Sequence, residues 1–142
     1  MGVIKKTTND LLCELTHSDS LVEFIKHNDG NFLEDDLAKK LCEILKSKNL
    51  SKSTVLKRAE INDIYGYQIF SGSRRPSRDK LLSLCLGMQL TLDETQSLLK
   101  SSGFPALYPK IKRDSIIISC ICSQKSVFDT NGLLYEYGQN LL

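Results

Sequence analysis

The chain has 142 residues, of which 41% are hydrophobic and 25% charged, a composition that suits one compact domain with a real core, or one domain with an appended arm. No apolar run reaches the roughly 18–20 residues that a membrane-spanning helix needs, and the start MGVIKKTTND lacks the apolar segment of a secretory signal. We therefore expect a cytoplasmic protein that makes no membrane contact.

The cysteine pattern argues against a metal site. The five cysteines include no CxxC pair, and neither His17 nor His27 lies near the later cysteines in sequence. We expect no metal, no cofactor, and cysteines that act as buried small hydrophobes on helix faces.

Charge is distributed unevenly along the chain. The net charge of +2 is the sum of −4 over residues 1–45, +6 over residues 46–80 and zero over residues 81–142. The excess positive charge therefore falls on one short segment, where contacts to nucleic-acid phosphates would need it.

The front of the chain predicts an acidic helical arm over residues 1–32. Thr7 and its neighbours offer caps for a first short helix, Ser20 and Glu23 have capping-box spacing for a second, and residues 28–31 indicate a turn. An arm so poor in basic residues favours a protein contact, either with a partner or with the rest of the chain. From Leu33, apolar residues at three- and four-residue steps predict a helix that ends near Lys48 and opens a second domain, residues 33–108.

Residues 50–78, LSKSTVLKRAEINDIYGYQIFSGSRRPSR, carry the central motif. Ser51 is placed to cap a helix through residue 59, and Asn62 to cap a second helix that Gly72 ends. Pro76 and Ser77 open the next helix. Two short helices separated by so few residues predict a helix-turn-helix, whose second helix enters the DNA major groove.

The C-terminal part repeats what precedes it. Ser77 begins one helix, Thr91 and Glu94 form a capping box for the next, and Gly103 ends that helix. An offset of 35 residues matches nine identities over the 30 positions of 78–107. We therefore predict that residues 109–142 form a helical hairpin repeating 78–107, and that β-branched Ile116-Ile117-Ile118 is helical rather than a strand.

The same hairpin predicts self-association. Its first helix is apolar on both sides, through Ile116, Ile117, Ile118, Ile121 and two cysteines. Such a helix would leave an exposed apolar patch, which a homodimer held by residues 113–142 would bury while supplying the symmetry of two DNA half-sites.

The motif residues resemble those of a known family. The central segment resembles the lambda-repressor-like, or XRE, family of helix-turn-helix domains. The resemblance rests on these residues: Leu50-Ser51, the turn after Ala59, Ile69-Phe70-Ser71-Gly72, Arg75-Pro76-Ser77, and Leu81 with Leu84. The resemblance covers residues 37–90, and the whole chain looks like small XRE-type proteins of Gram-positive bacteria. It implies an all-α fold with a five-helix DNA-binding domain, to which the arm and the hairpin are appended.

The resemblance also implies contact residues on double-stranded DNA. Asp63, Ile64, Tyr67 and Gln68 would face base edges, while Lys52, Ser71, Arg74 and Arg75 would lie along the backbone. Gln can make a bidentate contact to adenine, whereas Asp can only accept from a cytosine amino group and repels phosphate.

Three positions depart from the family pattern. Glu60 stands where the turn usually has Gly, so it requires a left-handed backbone angle and carries a negative charge near the DNA face. Leu56 replaces a small residue, and Gly66 replaces a branched one. We interpret these two as a single exchange of large for small across the packed helix pair.

Enzyme motifs are absent from the sequence: it has no GxxxxGK[ST], HExxH or GxSxG, so we expect no catalytic activity. The leading hypothesis is a sequence-specific DNA-binding transcriptional regulator. The alternative is a helical protein–protein adaptor that retains the fold without reading DNA, which Glu60, Asp63 and the paired tyrosines favour.

Overall fold

The computed structural model of the protein describes residues 6–31 and 36–142. Within these ranges every regular element is helical, which confirms the expected all-α class. Besides a 3₁₀ helix at Asp29–Asn31, the described elements are α1 (Thr8–Thr16), α2 (Leu21–His27), α3 (Leu37–Ser47), α4 (Lys52–Ala59), α5 (Asp63–Ser71), α6 (Arg78–Gly87), α7 (Leu92–Ser101), α8 (Lys112–Cys122) and α9 (Val127–Glu136). No helix of the described residues is long and apolar enough to span a bilayer.

The chain divides into two compact units, one within residues 1–34 and one within residues 35–142. The boundary that the sequence suggests after residue 32, and the helix start that it suggests at Leu33, lie outside the described residues. The smaller unit holds α1 and α2. Thr7 and Ser20 cap these helices as expected, because their hydroxyls accept hydrogen bonds from backbone N–H groups of the first turns.

A polar cluster lies inside the smaller unit. The buried Asn28 side chain accepts a hydrogen bond from Lys6 Nζ at 2.7 Å and donates one to Glu14 Oε1 at 2.9 Å. The hydrogen bond from Lys6 to the other carboxylate oxygen lowers the pKa of Glu14, and the Asn28 amide adds to that effect. The buried side chains described in this unit are thus one apolar and one polar, Phe24 and Asn28.

The larger unit is built on capped helices with one apolar core. Side chains of Ser51, Asn62, Ser77 and Thr91 accept hydrogen bonds from first-turn backbone N–H groups of α4, α5, α6 and α7, which confirms each cap expected from the sequence. The core takes residues from every helix from α3 to α9. Helix α3 packs on α5, and α4 packs on both α5 and α6.

Leu56 of α4 occupies the space that a side chain at position 66 of α5 would need. A Cβ built on Gly66 would lie 2.2 Å from Leu56 Cδ2 and 2.5 Å from Leu56 Cδ1. Leu56 itself is fully buried. The expected exchange of large for small is therefore confirmed: the two positions face each other across the helix pair.

Helices α8 and α9 repeat α6 and α7 at the expected offset of 35 residues, so Ile116-Ile117-Ile118 is helical as expected. Equivalent hydrogen bonds recur at the same offset. Arg78 Nε donates to the carbonyl of Pro105 at 3.0 Å, and Arg113 Nε donates to that of Asn140 at 2.9 Å. The repeat thus extends from residue identities to side-chain geometry.

The two hairpins contact each other reciprocally. Arg78 Nη2 lies 3.0 Å from Asp114 Oδ2, and Arg113 Nη1 lies 2.9 Å from Asp79 Oδ1. Helix α6 packs on α9, and α7 packs on α8. An exchange of equivalent partners is the pattern of a two-fold interface, unlike the head-to-tail contact of stacked repeats. Residues 109–142 therefore belong to the same compact unit as the helix pair α6–α7.

The premise of an exposed isoleucine patch on α8 is wrong. Ile117 and Ile121 are buried in the core, and Ile116 and Ile118 are half-buried against it. The reason is that the hairpin α6–α7 covers one side of α8, and α9 covers another.

The part of α8 left open is polar or small. Gly87 of α6, the repeat equivalent of Cys122 of α8, packs closely on α4. A Cβ built on Gly87 would lie 2.9 Å from the Val55 carbonyl oxygen. The counterpart of Gly87 on α8 is the exposed Cys122, and Ser119 beside it is also exposed.

The cysteines do not share one environment. Cys85 and Cys120 are buried, and burial raises the pKa of the Cys85 thiol to about 12, so that this thiol stays protonated. Cys42 is half-buried. The expectation of buried cysteines is wrong for Cys13 and Cys122, which are exposed because their positions face outward on α1 and α8.

Candidate nucleic-acid interface

The turn between α4 and α5 is closed by a left-handed residue. Glu60, the residue after α4, has φ 57° and ψ 39°, the backbone angles expected from the family pattern. Asn62 then begins α5 by accepting hydrogen bonds from the N–H groups of Ile64 and Tyr65. The strain of a non-glycine residue in this region costs about 1–2 kcal/mol.

The four residues expected to read bases share one face of α5. Asp63, Ile64 and Tyr67 are exposed and Gln68 is half-buried, while Gly66, Ile69 and Phe70 fill the buried face. Ile64 has 73% of its surface exposed.

The Gln68 amide is available for an external contact. Among the described residues, no hydrogen bond forms to its side chain. Its backbone carbonyl, by contrast, accepts hydrogen bonds from Arg74 N at 3.2 Å, Ser71 Oγ at 3.1 Å and Ser73 Oγ at 3.3 Å. The bonds from Arg74 and Ser73 hold the loop after α5 against the end of the helix, where Ser71 is the last helical residue.

Two of the expected backbone cations stack on aromatic rings of α5. Lys52 Nζ lies 5.9 Å from the centroid of the Phe70 ring, and the Arg74 guanidinium lies 5.1 Å from that of Tyr65. Contacts of this kind at exposed sites contribute about 0.5–1 kcal/mol each. They restrict two long side chains against rings of α5, one buried and one half-buried.

Arg75 has a different environment. Its guanidinium lies 4.9 Å from the Phe104 ring centroid and donates a hydrogen bond to the backbone carbonyl of Ser102. Both partners follow α7, so Arg75 ties the loop after α5 to the end of α7. Of the two neighbouring arginines, Arg74 is therefore the one whose contacts leave it at the α5 face.

Comparison with known proteins gives this chain no relative: no protein-family model, no curated protein and no solved structure matches it. The candidate interface is thus defined by its own geometry: an exposed helix face, one side-chain amide that makes no hydrogen bond to the described part of the chain, and two cations stacked on rings of the same helix.

Residue spacing in the sequence indicated which side of α5 is exposed, but not the aromatic partners of the cations. Phe70 and Tyr65 lie on α5 itself, so the start of α5 at Asn62 and the short loops around it already indicated that Lys52 and Arg74 lie near this helix. Phe104 lies beyond α7, and no local pattern links it to Arg75.

Proposed function

We propose that this protein is a sequence-specific DNA-binding regulator with a lambda-repressor-like arrangement, in which α5 lies in the major groove. The observation that carries the proposal is the α5 face. Asp63, Ile64 and Tyr67 are exposed there, and the Gln68 amide makes no hydrogen bond to any residue that the structure describes. The cations Lys52 and Arg74 stack on rings of the same helix. Such a regulator acts in the cytoplasm, where its DNA ligand lies.

The residue types on this face have distinct partners among base pairs. The Gln68 amide can donate to and accept from one adenine edge, which gives a bidentate contact. Ile64 is apolar and highly exposed, so a thymine methyl group is its natural partner. Asp63 can accept from a cytosine amino group only. Together they predict a half-site with adenine, thymine and cytosine at adjacent positions.

Phosphate contact falls to groups at the edges of the helix pair. Lys52 lies in the first turn of α4, Ser71 is the last residue of α5, and Arg74 lies in the loop that follows. Each supplies N–H or O–H donors to a phosphate without regard to sequence. Arg75 joins them only if the contact to Ser102 opens.

Selection from a random duplex library tests base reading. Duplexes retained by the full chain are sequenced, and the consensus is then titrated by fluorescence anisotropy with single base-pair changes. Gln68→Ala should abolish the preference at one position, worth about 1–3 kcal/mol, and leave other positions unchanged. No enrichment over the starting library, or an equal loss at every position, would contradict base reading by α5.

A second function, a protein–protein adaptor, is favoured by one specific observation. The exposed face of α5 combines apolar and acidic side chains. Ile64 and Tyr67 lie beside Asp63, and Glu60 precedes them in the turn. An apolar patch with acidic neighbours suits a basic peptide better than it suits a phosphate backbone. In that case Arg74→Ala would leave partner affinity unchanged, whereas Ile64→Ala would reduce it.

The N-terminal unit is proposed as a separate protein-contact surface. Its exposed apolar side chains belong to both helices: Leu12 and Leu15 on α1, and Leu21, Val22 and Ile25 on α2. Residues 6–31 carry acidic groups in excess, which supports contact with a protein rather than with nucleic acid.

A further inference from the structure

The two hairpins differ at positions where both are exposed, so the repeat supplies an internal control. On α7, the outward positions 93 and 100 are Asp93 and Lys100, which are charged and solvated. The equivalent positions on α9 are Phe128 and Tyr135, with 73% and 79% of their surface exposed. The same helix position in the same fold therefore tolerates charge in one copy and carries an aromatic ring in the other.

The two rings and a glycine form one line along α9. Phe128, Gly132 and Tyr135 follow the spacing i, i+4, i+7, which places them on one face of a helix. Apart from the neighbouring residues and backbone of α9 itself, no atom of the described residues lies within 4 Å of a Cβ built on Gly132. The face is thus a shallow, open saddle with a ring on either side of a residue that has no side chain.

We propose that this α9 face, Phe128, Gly132 and Tyr135, is the interface of a two-fold homodimer in which two copies of α9 cross antiparallel at Gly132. At a rise of about 1.5 Å per residue, Phe128 lies roughly 6 Å on one side of Gly132 and Tyr135 roughly 4.5 Å on the other. An antiparallel two-fold axis at Gly132 therefore sets each Phe128 beside Tyr135 of the partner subunit, within about 1.5 Å along the helix axis. The absence of a side chain at the crossing lets the backbones approach closely.

The buried area indicates a weak but specific dimer. Four aromatic side chains, each burying roughly 150 Å² or more, supply about 600 Å² at the centre of the interface. This is about half of the roughly 1,200 Å² at which stable interfaces begin, a size typical of weak, transient association. Sedimentation at several concentrations measures the affinity, which area alone does not set.

The charges beside the rings make the dimer sensitive to salt in a characteristic direction. Asp129 and Glu136 are exposed along one edge of this face. The antiparallel crossing places each of these carboxylates beside a carboxylate of the second copy. Exposed like charges repel weakly, and salt screens that repulsion. Raising the salt concentration should therefore tighten this dimer, whereas it weakens DNA binding. The dimer is independent of the proposed DNA function.

Sedimentation equilibrium of the full chain over a range of concentrations tests the proposal without DNA. We expect a monomer–dimer equilibrium that tightens from low to high salt. Phe128→Asp with Tyr135→Lys imports the residues of the first hairpin and should weaken association by more than about tenfold. Tyr108→Lys replaces an exposed aromatic residue outside α9 and should leave association unchanged.

Each contrary result removes the α9 interface. A chain that stays monomeric at every concentration overturns the proposal, and so does a dimer that survives the double substitution. If the double variant is unfolded by circular dichroism, Gly132→Leu is measured instead. That change blocks the crossing without altering the rings, and a folded, undiminished Gly132→Leu dimer overturns the proposal as well.

Discussion

Leu56→Ala and Gly66→Val, made singly and together, measure how α4 packs on α5. Leu56 is fully buried, and its Cγ and both Cδ atoms lie within 2.8 Å of the position that a Cβ at Gly66 would take. The first substitution removes as many carbon atoms as the second adds. The pair therefore conserves volume across one contact, which each single change violates.

The magnitudes follow from cavity and overpacking costs. Leu56→Ala should lower the free energy of unfolding by about 2–5 kcal/mol, because a fully buried leucine leaves a cavity beside a residue that cannot fill it. Gly66→Val should lower it by about 1–3 kcal/mol through overpacking, although valine restores some helix propensity. The double variant should recover most of the loss, which gives a favourable coupling of about 2–3 kcal/mol.

Urea unfolding followed by circular dichroism measures the four members of the cycle. The dependence of unfolding free energy on urea should stay constant across them, which licenses the comparison. Leu56→Ala with Ser97→Val is the matched control, because Ser97 is exposed on α7 and the same valine there meets no leucine. We expect that control pair to be additive. Additive effects in the Leu56–Gly66 cycle would refute the packing register of α4 against α5.

The remaining predictions concern an ion pair, a cap and the turn. Arg78→Leu should destabilise the fold by about 3–5 kcal/mol in the same assay, because it leaves the buried Asp114 carboxylate without its cation. The pKa of Glu94 is lowered, chiefly by the hydrogen bond that its carboxylate accepts from the backbone N–H of Thr91. The ionised Glu94 therefore stabilises the fold above its ordinary pKa of 4.5, and this stabilisation is lost as the pH falls through the lower pKa of the folded state. Glu94→Gln should keep the cap and flatten that acid loss, as seen in unfolding between pH 5 and about pH 3. Glu60→Gly should stabilise the protein by about 0.5–1 kcal/mol, because glycine adopts the left-handed backbone angles of this position without strain. The change should also tighten DNA binding in anisotropy titrations, because it removes an acidic group. Weaker binding would contradict the placement of this turn at the DNA face.

Local chemistry made the helix boundaries predictable. Hydroxyl and amide caps at Ser51, Asn62, Ser77 and Thr91 satisfy first-turn N–H groups wherever they occur, so the sequence specifies them without knowledge of the fold. The contact between Leu56 and Gly66 was predictable for a related reason. The two helices of the helix-turn-helix motif pack against each other at these positions, so a large residue at one position and a glycine at the other indicated a compensating exchange of volume.

Burial on the C-terminal hairpin was less predictable, because periodicity indicates a face but not what covers it. The pattern of α8 alone predicted an exposed apolar patch, yet Ile117 and Ile121 are buried and Ile116 and Ile118 half-buried against the core. On α9, by contrast, Phe128 and Tyr135 are exposed. Comparing the repeats position by position, rather than by identities alone, would have revealed those two substitutions of aromatic for charged residues.

The salt dependence of DNA binding tests the proposed function most directly. The full chain, Arg74→Ala and Lys125→Ala, a change on the loop between α8 and α9, are titrated against the selected duplex at several salt concentrations. We predict that Arg74→Ala weakens binding to every duplex and reduces the slope of log affinity against log salt by about 0.9, as one lost phosphate contact requires. Lys125→Ala should leave the slope unchanged. Equal slopes for all three proteins, or no saturable binding to any duplex at low salt, would contradict a DNA-binding role for the α5 face.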